Sequence, residues 1–186
     1  MKTNSPENKR RYIAFLRAIN VGGRTVKMDH LRRLFAEMGF TNVETFIASG
    51  NVIFELADTD AARLERRIEA GLQDGLGYRV DTFIRTPDEL AAVAATWPFG
   101  DAHRDAPHTL FIAFLGASPD EAARQRLMVN TTAIDAFHVD GREVYWLRRD
   151  AVGESSFAGG LLEKALGMPA TVRNRRTVAK IAQKYN

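Results

Sequence analysis

The sequence predicts an α+β protein with antiparallel sheets, built from two passes of a β-α-β-β-α-β pattern and closed by an extra C-terminal helix. Three observations predict it. Apolar runs of strand length alternate with helix-period segments in the same order twice. Turn signals at Ser49-Gly50-Asn51 and Asp140-Gly141 each separate two strand-like runs. And Ile112-Ala113-Phe114-Leu115 repeats Ile13-Ala14-Phe15-Leu16.

The first pass opens with the apolar run Tyr12 to Leu16, most simply a buried strand. Asp29 is expected to cap a helix whose apolar positions Leu31, Leu34, Phe35 and Met38 fall at helical spacing, and Gly39 stops it. Val43 to Ala48 and Val52 to Leu56 read as a hairpin. Asp60 then caps a second helix with Leu64, Ile68 and Leu72 inward, weakened and ended by glycines 71, 75 and 77. A strand over Arg79 to Arg85 completes the pass.

Thr86-Pro87-Asp88-Glu89 opens a further helix with a capping hydroxyl, proline at the first helical position and glutamate three residues after the cap. The polar stretch from Pro98 to Pro107 reads as a linker. The second pass then runs through Leu110 to Leu115, a helix opened by a capping box at Ser118-Pro119-Asp120-Glu121, strands over Ile134 to Val139 and Glu143 to Arg148, a helix over Phe157 to Leu166, and a short strand over Ala170 to Arg173. In the second pass Ser155 or Ser156 is expected to cap the Phe157 helix. Asn174 caps the final helix. Two passes of this order define two ferredoxin-like subdomains. The expected division is a disordered leader over 1–10, subdomains over 11–86 and 108–186, and a connecting helix and linker over 87–107.

Composition narrows the function classes. The chain has 186 residues, 45% of them hydrophobic, enough for a conventional core. No cysteine is present, which removes disulfides, thiol nucleophiles and cysteine-ligated metal centres, and fits a reducing cytoplasm. No segment approaches the roughly 20 apolar residues of a membrane span. A net charge of +3 is a mild basic excess, weak support for a nucleic-acid partner. The four histidines show no metal-ligand spacing, and no metal or cofactor is expected.

Several segments together resemble the bacterial DUF1697 family. They are Tyr12-Ile-Ala-Phe-Leu-Arg-Ala-Ile-Asn-Val-Gly-Gly23, then Met28 and Leu31, then Gly39-Phe40-Thr41-Asn42-Val43, then Ser49-Gly50-Asn51-Val52-Ile53-Phe54. Thr171-Val172-Arg173-Asn174 followed by Thr177-Val178 is similar to that family's Thr-x-Arg-Asn-x-x-Thr-Val segment, so the resemblance runs from Tyr12 to about Ala182. It implies ferredoxin-like α+β subdomains and no established biochemical role. The chain departs at Ala18, where many members carry glycine, and at Arg175, a position that is usually aromatic.

The candidate binding residues lie in turns. Gly22 and Gly23 permit a nest of successive N–H groups suited to an anion, with Arg17, Arg24 and Lys27 adding charge and Asn20 a directed hydrogen bond. Ser49 and Asn51 stand at a hairpin end that a ferredoxin-like module places beside that loop. Arg173 and Asn174 open a basic C-terminal helix. The first expectation is therefore a small anionic, phosphate-bearing ligand on Arg17, Asn20, Gly22, Gly23, Ser49, Asn51, Arg173 and Asn174. A bland reading competes at every position: a glycine turn with solvated arginines, hairpin residues tolerating left-handed backbone angles, and Arg173 in a structural ion pair. Two other functions stay open: nucleic-acid binding by the basic C-terminal helix, and a non-catalytic interaction domain. Neither a P-loop nor a dinucleotide fingerprint occurs. The sequence identifies no ligand, no reaction and no oligomeric state.

Overall fold

The structure is a computed structural model that describes residues 9–20, 23, 25–48, 50–57, 59–101, 107–150 and 152–186. The chain divides after Pro87 into two compact units. The first holds β1 (Lys9–Leu16), α1 (Met28–Glu37), β2 (Thr41–Thr45), β3 (Asn51–Ala57), α2 (Ala61–Leu76) and β4 (Thr82–Arg85). Its antiparallel sheet has the order β2-β3-β1-β4. The helix α3 (Pro87–Ala95) follows, and then β5 (Thr109–Leu115), α4 (Glu121–Met128), β6 (Asp135–Asp140), β7 (Glu143–Arg148), α5 (Gly159–Leu166), β8 (Ala170–Asn174) and α6 (Arg175–Tyr185). The second sheet has the order β6-β7-β5-β8. Both units are ferredoxin-like, and the α+β class is as the sequence predicts.

In the first unit, Tyr12, Ala14 and Leu16 of β1 point to the face on which α1 and α2 pack. Tyr12, Phe35, Phe40 and Phe54 form the centre of that core, with Phe40 and Phe54 ring centroids 4.6 Å apart. Gly71 and Gly75 do not interrupt α2. A Cβ at Gly71 would run into Met38 Sδ, and one at Gly75 into Leu34, so glycine lets α1 lie close against α2. Gly77, with φ +77°, ends the helix.

The two units share one register. Ala14 lies opposite Val52 and Ile84, and Ala113 opposite Val144 and Val172. Ile13 faces Arg85 as Ile112 faces Arg173. Leu16 N donates to Gly50 O at 2.8 Å, and Leu115 N to Arg142 O at 2.9 Å. The four-residue echo in the sequence thus marks structurally equivalent positions.

Several element ends differ from expectation. β1 begins at Lys9, paired with Ala57, because β3 extends far enough to satisfy its backbone. Lys27, not Asp29, is the N-cap of α1. Asp29 lies inside the first turn and bonds Arg32. Asp120 rather than Ser118 caps α4, accepting from Ala123 N at 2.7 Å. Ala158 is the N-cap of α5 and offers no side-chain oxygen, while Ser155 Oγ accepts from Phe157 N before the helix starts. Asp60 and Asn174 cap α2 and α6 as expected.

Candidate functional site

The loop leaving β1 and the bend between β2 and β3 do meet. Asn20 Nδ2 donates to Ala48 O at 3.0 Å, and Asn20 Oδ1 accepts from Val26 N at 2.7 Å. Both ends of this amide therefore stitch the backbone. Asn51 is the first residue of β3, fully buried, and its Nδ2 donates to Phe46 O at 2.9 Å. Among the described residues of the bend, Ile47 (φ +51°) and Gly50 (φ +71°) are left-handed and Asn51 is not. A Cβ on Gly50 would stand 2.6 Å from Ile19 Cγ2, so close approach of the two bends also requires glycine. Arg17 Nη1 lies 3.4 Å from Asp81 Oδ2, and Arg79 Nε is 2.9 Å from the other oxygen of the same carboxylate. Gly23 has φ +83°. Gly22, Arg24 and Ser49 lie outside the described residues.

Arg173 and Asn174 have separate duties. Burial of Arg173 lowers its pKa to about 10, and its Nη1 donates to Thr171 Oγ1 at 2.8 Å and Val172 O at 2.9 Å. The equivalent Arg85 is almost completely enclosed and donates to Ile84 O at 2.7 Å. Asn174 ends β8 and begins α6 without an intervening loop. Its Oδ1 accepts from Arg176 N at 2.8 Å.

That strand–helix junction forms one wall of an open cleft of about 610 Å³ in the second unit. Its lining includes His108, Thr109, Asp150, Asn174, Arg175 and Arg176. Asp150 is engaged at both oxygens, by Arg148 Nε at 2.9 Å and Thr109 Oγ1 at 2.7 Å. The Thr109 hydroxyl and then the Arg148 guanidinium hold its carboxyl below the usual range. Arg175 donates through Nε and Nη2 to Ala94 O, at 3.2 and 2.9 Å, which ties the start of α6 to the end of α3. Arg176 is exposed at the cleft. His108 lies beside the Trp97 ring, with centroids 5.0 Å apart. Along α6 the exposed cations Arg176, Lys180 and Lys184 recur every fourth residue, one stripe on the helix surface.

Of the sequence-based candidates, Asn20 and Asn51 share one end of the first sheet with Arg17, and Asn174 belongs to the second unit's cleft. His108 and Asp150 were not candidates. The only signal for them was a polar segment on either side of the second module, since strand order alone puts the start of β5 beside the end of β7.

The fold and its sites define a two-module ferredoxin-like α+β protein without a recognisable catalytic constellation among the described residues. Residues 10–145 match the model of a family described as protein of unknown function (DUF1697), and the chain belongs to that family. The Thr171 to Val178 segment lies beyond the matched residues. No curated protein matches the chain. Among solved structures it is similar to the conserved bacterial protein SP0830 from Streptococcus pneumoniae, with 22% identity and a TM-score of 0.67, over 95% of this chain and 98% of that one. A likeness at that identity concerns the fold. No helix among the described residues is long and apolar enough to cross a membrane.

Proposed function

We propose that this protein binds a small phosphate-bearing molecule in the cleft at the start of α6. The observation that carries this reading is the make-up of the cleft: Arg175, Arg176 and His108 line it together with Asp150, a carboxylate already held by Arg148 and Thr109. An incoming phosphate therefore meets an exposed guanidinium at Arg176, while the acid among the described lining residues, Asp150, is internally compensated. A charge-assisted hydrogen bond of this kind contributes about 1.5–3 kcal/mol. Asn174, capping the helix that carries both arginines, positions them. A cysteine-free chain suits a cytoplasmic setting for such a ligand.

A thermal-shift screen of inorganic phosphate, pyrophosphate and nucleotides tests the proposal. Stabilisation that disappears in Arg176→Ala supports it, and stabilisation undiminished by that change overturns it.

The loop leaving β1 is a second reading for the same ligand class. It is favoured by one observation: two guanidiniums, those of Arg17 and Arg79, stand at one carboxylate, Asp81, beside that loop. Stabilisation lost in Arg17→Ala and retained in Arg176→Ala would move the site to that loop. The stripe Arg176, Lys180 and Lys184 supports a polyanion instead. In that case oligonucleotide affinity would fall with salt at a slope of about three, one unit for each neutralised phosphate.

A further inference from the structure

In the first unit, the outer edge of the sheet is guarded by two glutamates of one helix. Glu69 Oε1 accepts from Thr82 N at 3.0 Å and Glu65 Oε1 from Ile84 N at 2.9 Å. The geometry explains the pair. Four helical residues advance about 6.0 Å and two strand residues about 6.6 Å, so carboxylates at i and i+4 meet alternate edge amides. These are the amides an edge strand otherwise leaves unpaired.

The second unit keeps half of this arrangement. Thr82 and Ala170 are equivalent by register, since Leu16 faces the first and Leu115 the second. Glu163 Oε1 of α5 accepts from Ala170 N at 2.9 Å, as Glu69 does for Thr82. Four residues earlier, where Glu65 stands in α2, α5 has Gly159. Val172 is the equivalent of Ile84, and its N–H points outward like that of Ala170, two residues before it on the same strand. Its amide has no acceptor among the described residues. A Cβ built on Gly159 would lie in ordinary contact with Val172 Cγ2, at 3.7 Å, so the space for a side chain exists and is not filled by glycine.

We propose that the edge of β8 at Val172, beside Gly159, is a carboxylate-binding site: an external carboxylate accepts from Val172 N in the place that Glu65 occupies in the first unit. The chemistry is that of a charged acceptor on a strand-edge amide, supplied by a small organic acid or by the acidic side chain of a peptide. The site is separate from the phosphate proposal. It uses none of Asp150, Arg175 and Arg176, and its response is expected to survive Arg176→Ala.

Amide-resolved NMR of the intact protein tests it, with acetate as one probe and a capped tripeptide carrying a single glutamate as the other, each against sodium chloride at equal ionic strength. The expected result is a saturable downfield shift of the Val172 amide proton with either carboxylate, while the Ile84 amide, already bonded to Glu65, does not respond. Saturation at lower peptide than acetate concentration assigns the site to acidic side chains, and equal concentrations assign it to small acids. In Gly159→Glu the Val172 amide is expected downfield from the outset and indifferent to acetate. A Val172 amide that moves no more than in chloride, or that moves equally in wild type and Gly159→Glu, overturns the proposal. Should Gly159→Glu fail to fold, the wild-type titration decides alone.

Discussion

Asn20 donates its side-chain amide to the carbonyl of Ala48 at 3.0 Å, tying the loop after β1 to the bend between β2 and β3. Its other end accepts from Val26 N at 2.7 Å, just before α1. Asn20→Asp keeps an acceptor for Val26 but sets a carboxylate against a carbonyl. It is expected to cost about 1–3 kcal/mol, the range for a lost bond that leaves a partner unsatisfied, read as a lower urea midpoint. Asn20→Ala is expected to lose both bonds and to be at least as destabilised.

Two positions in these bends test backbone conformation in opposite directions. Ala18 has φ +53°, a left-handed conformation that strains a residue with a Cβ. The resemblance to family members with glycine there now has a physical reason. Ala18→Gly is expected to stabilise the protein by about 0.5–1 kcal/mol, relief of strain outweighing the added freedom of the unfolded chain. Gly50→Ala combines φ +71° with a Cβ 2.6 Å from Ile19 Cγ2 and 3.2 Å from the Leu16 carbonyl oxygen. A loss of about 2–4 kcal/mol is expected. Equal and small effects at both positions would contradict the geometry.

Acid sensitivity follows from Glu55. The Asn42 amide, and after it the Arg11 guanidinium, hold its carboxyl below the usual range. The folded state therefore binds the proton less tightly than the unfolded chain. The stabilisation is complete above the ordinary carboxylate pKa and is lost as the pH falls through the lowered folded value. Glu55→Gln is expected to flatten the acid limb of a stability-versus-pH curve by lowering stability at neutral pH, where the carboxylate's contribution is complete, and to change little in acid. Asp150, lowered by Thr109 and then Arg148, contributes with the same sign.

Much of this fold is legible in the sequence because the informative residues act locally. Asp60 and Asn174 cap their helices through bonds to residues two or three positions away. Asp140-Gly141 makes a tight turn, with Gly141 at φ +55°. What escapes is set by distant packing. Gly71 and Gly75 read as helix breakers, yet they are where α1 presses on α2. Ser49-Gly50-Asn51 reads as a turn, but Asn51 is drawn into β3 by the Phe46 carbonyl, and Ile47 takes the left-handed conformation instead. The candidate site divides similarly. Asn20 has the polarity of a ligand and spends it on the backbone, whereas the cleft needs His108, Asp150 and Arg176, brought together only by β5 and β7 pairing and by α6 following β8.

The most direct test of phosphate binding in the cleft is a paired titration with inorganic pyrophosphate of the wild type, Arg176→Ala and Asp150→Asn. Removing the exposed guanidinium is expected to weaken binding about tenfold or more. Removing the acid is expected to tighten it about three- to tenfold, because Arg148 loses the carboxylate that neutralises it and adds its charge to the cleft. Opposite shifts of these signs are the predicted result; shifts of the same sign, or none in either variant, would contradict the account.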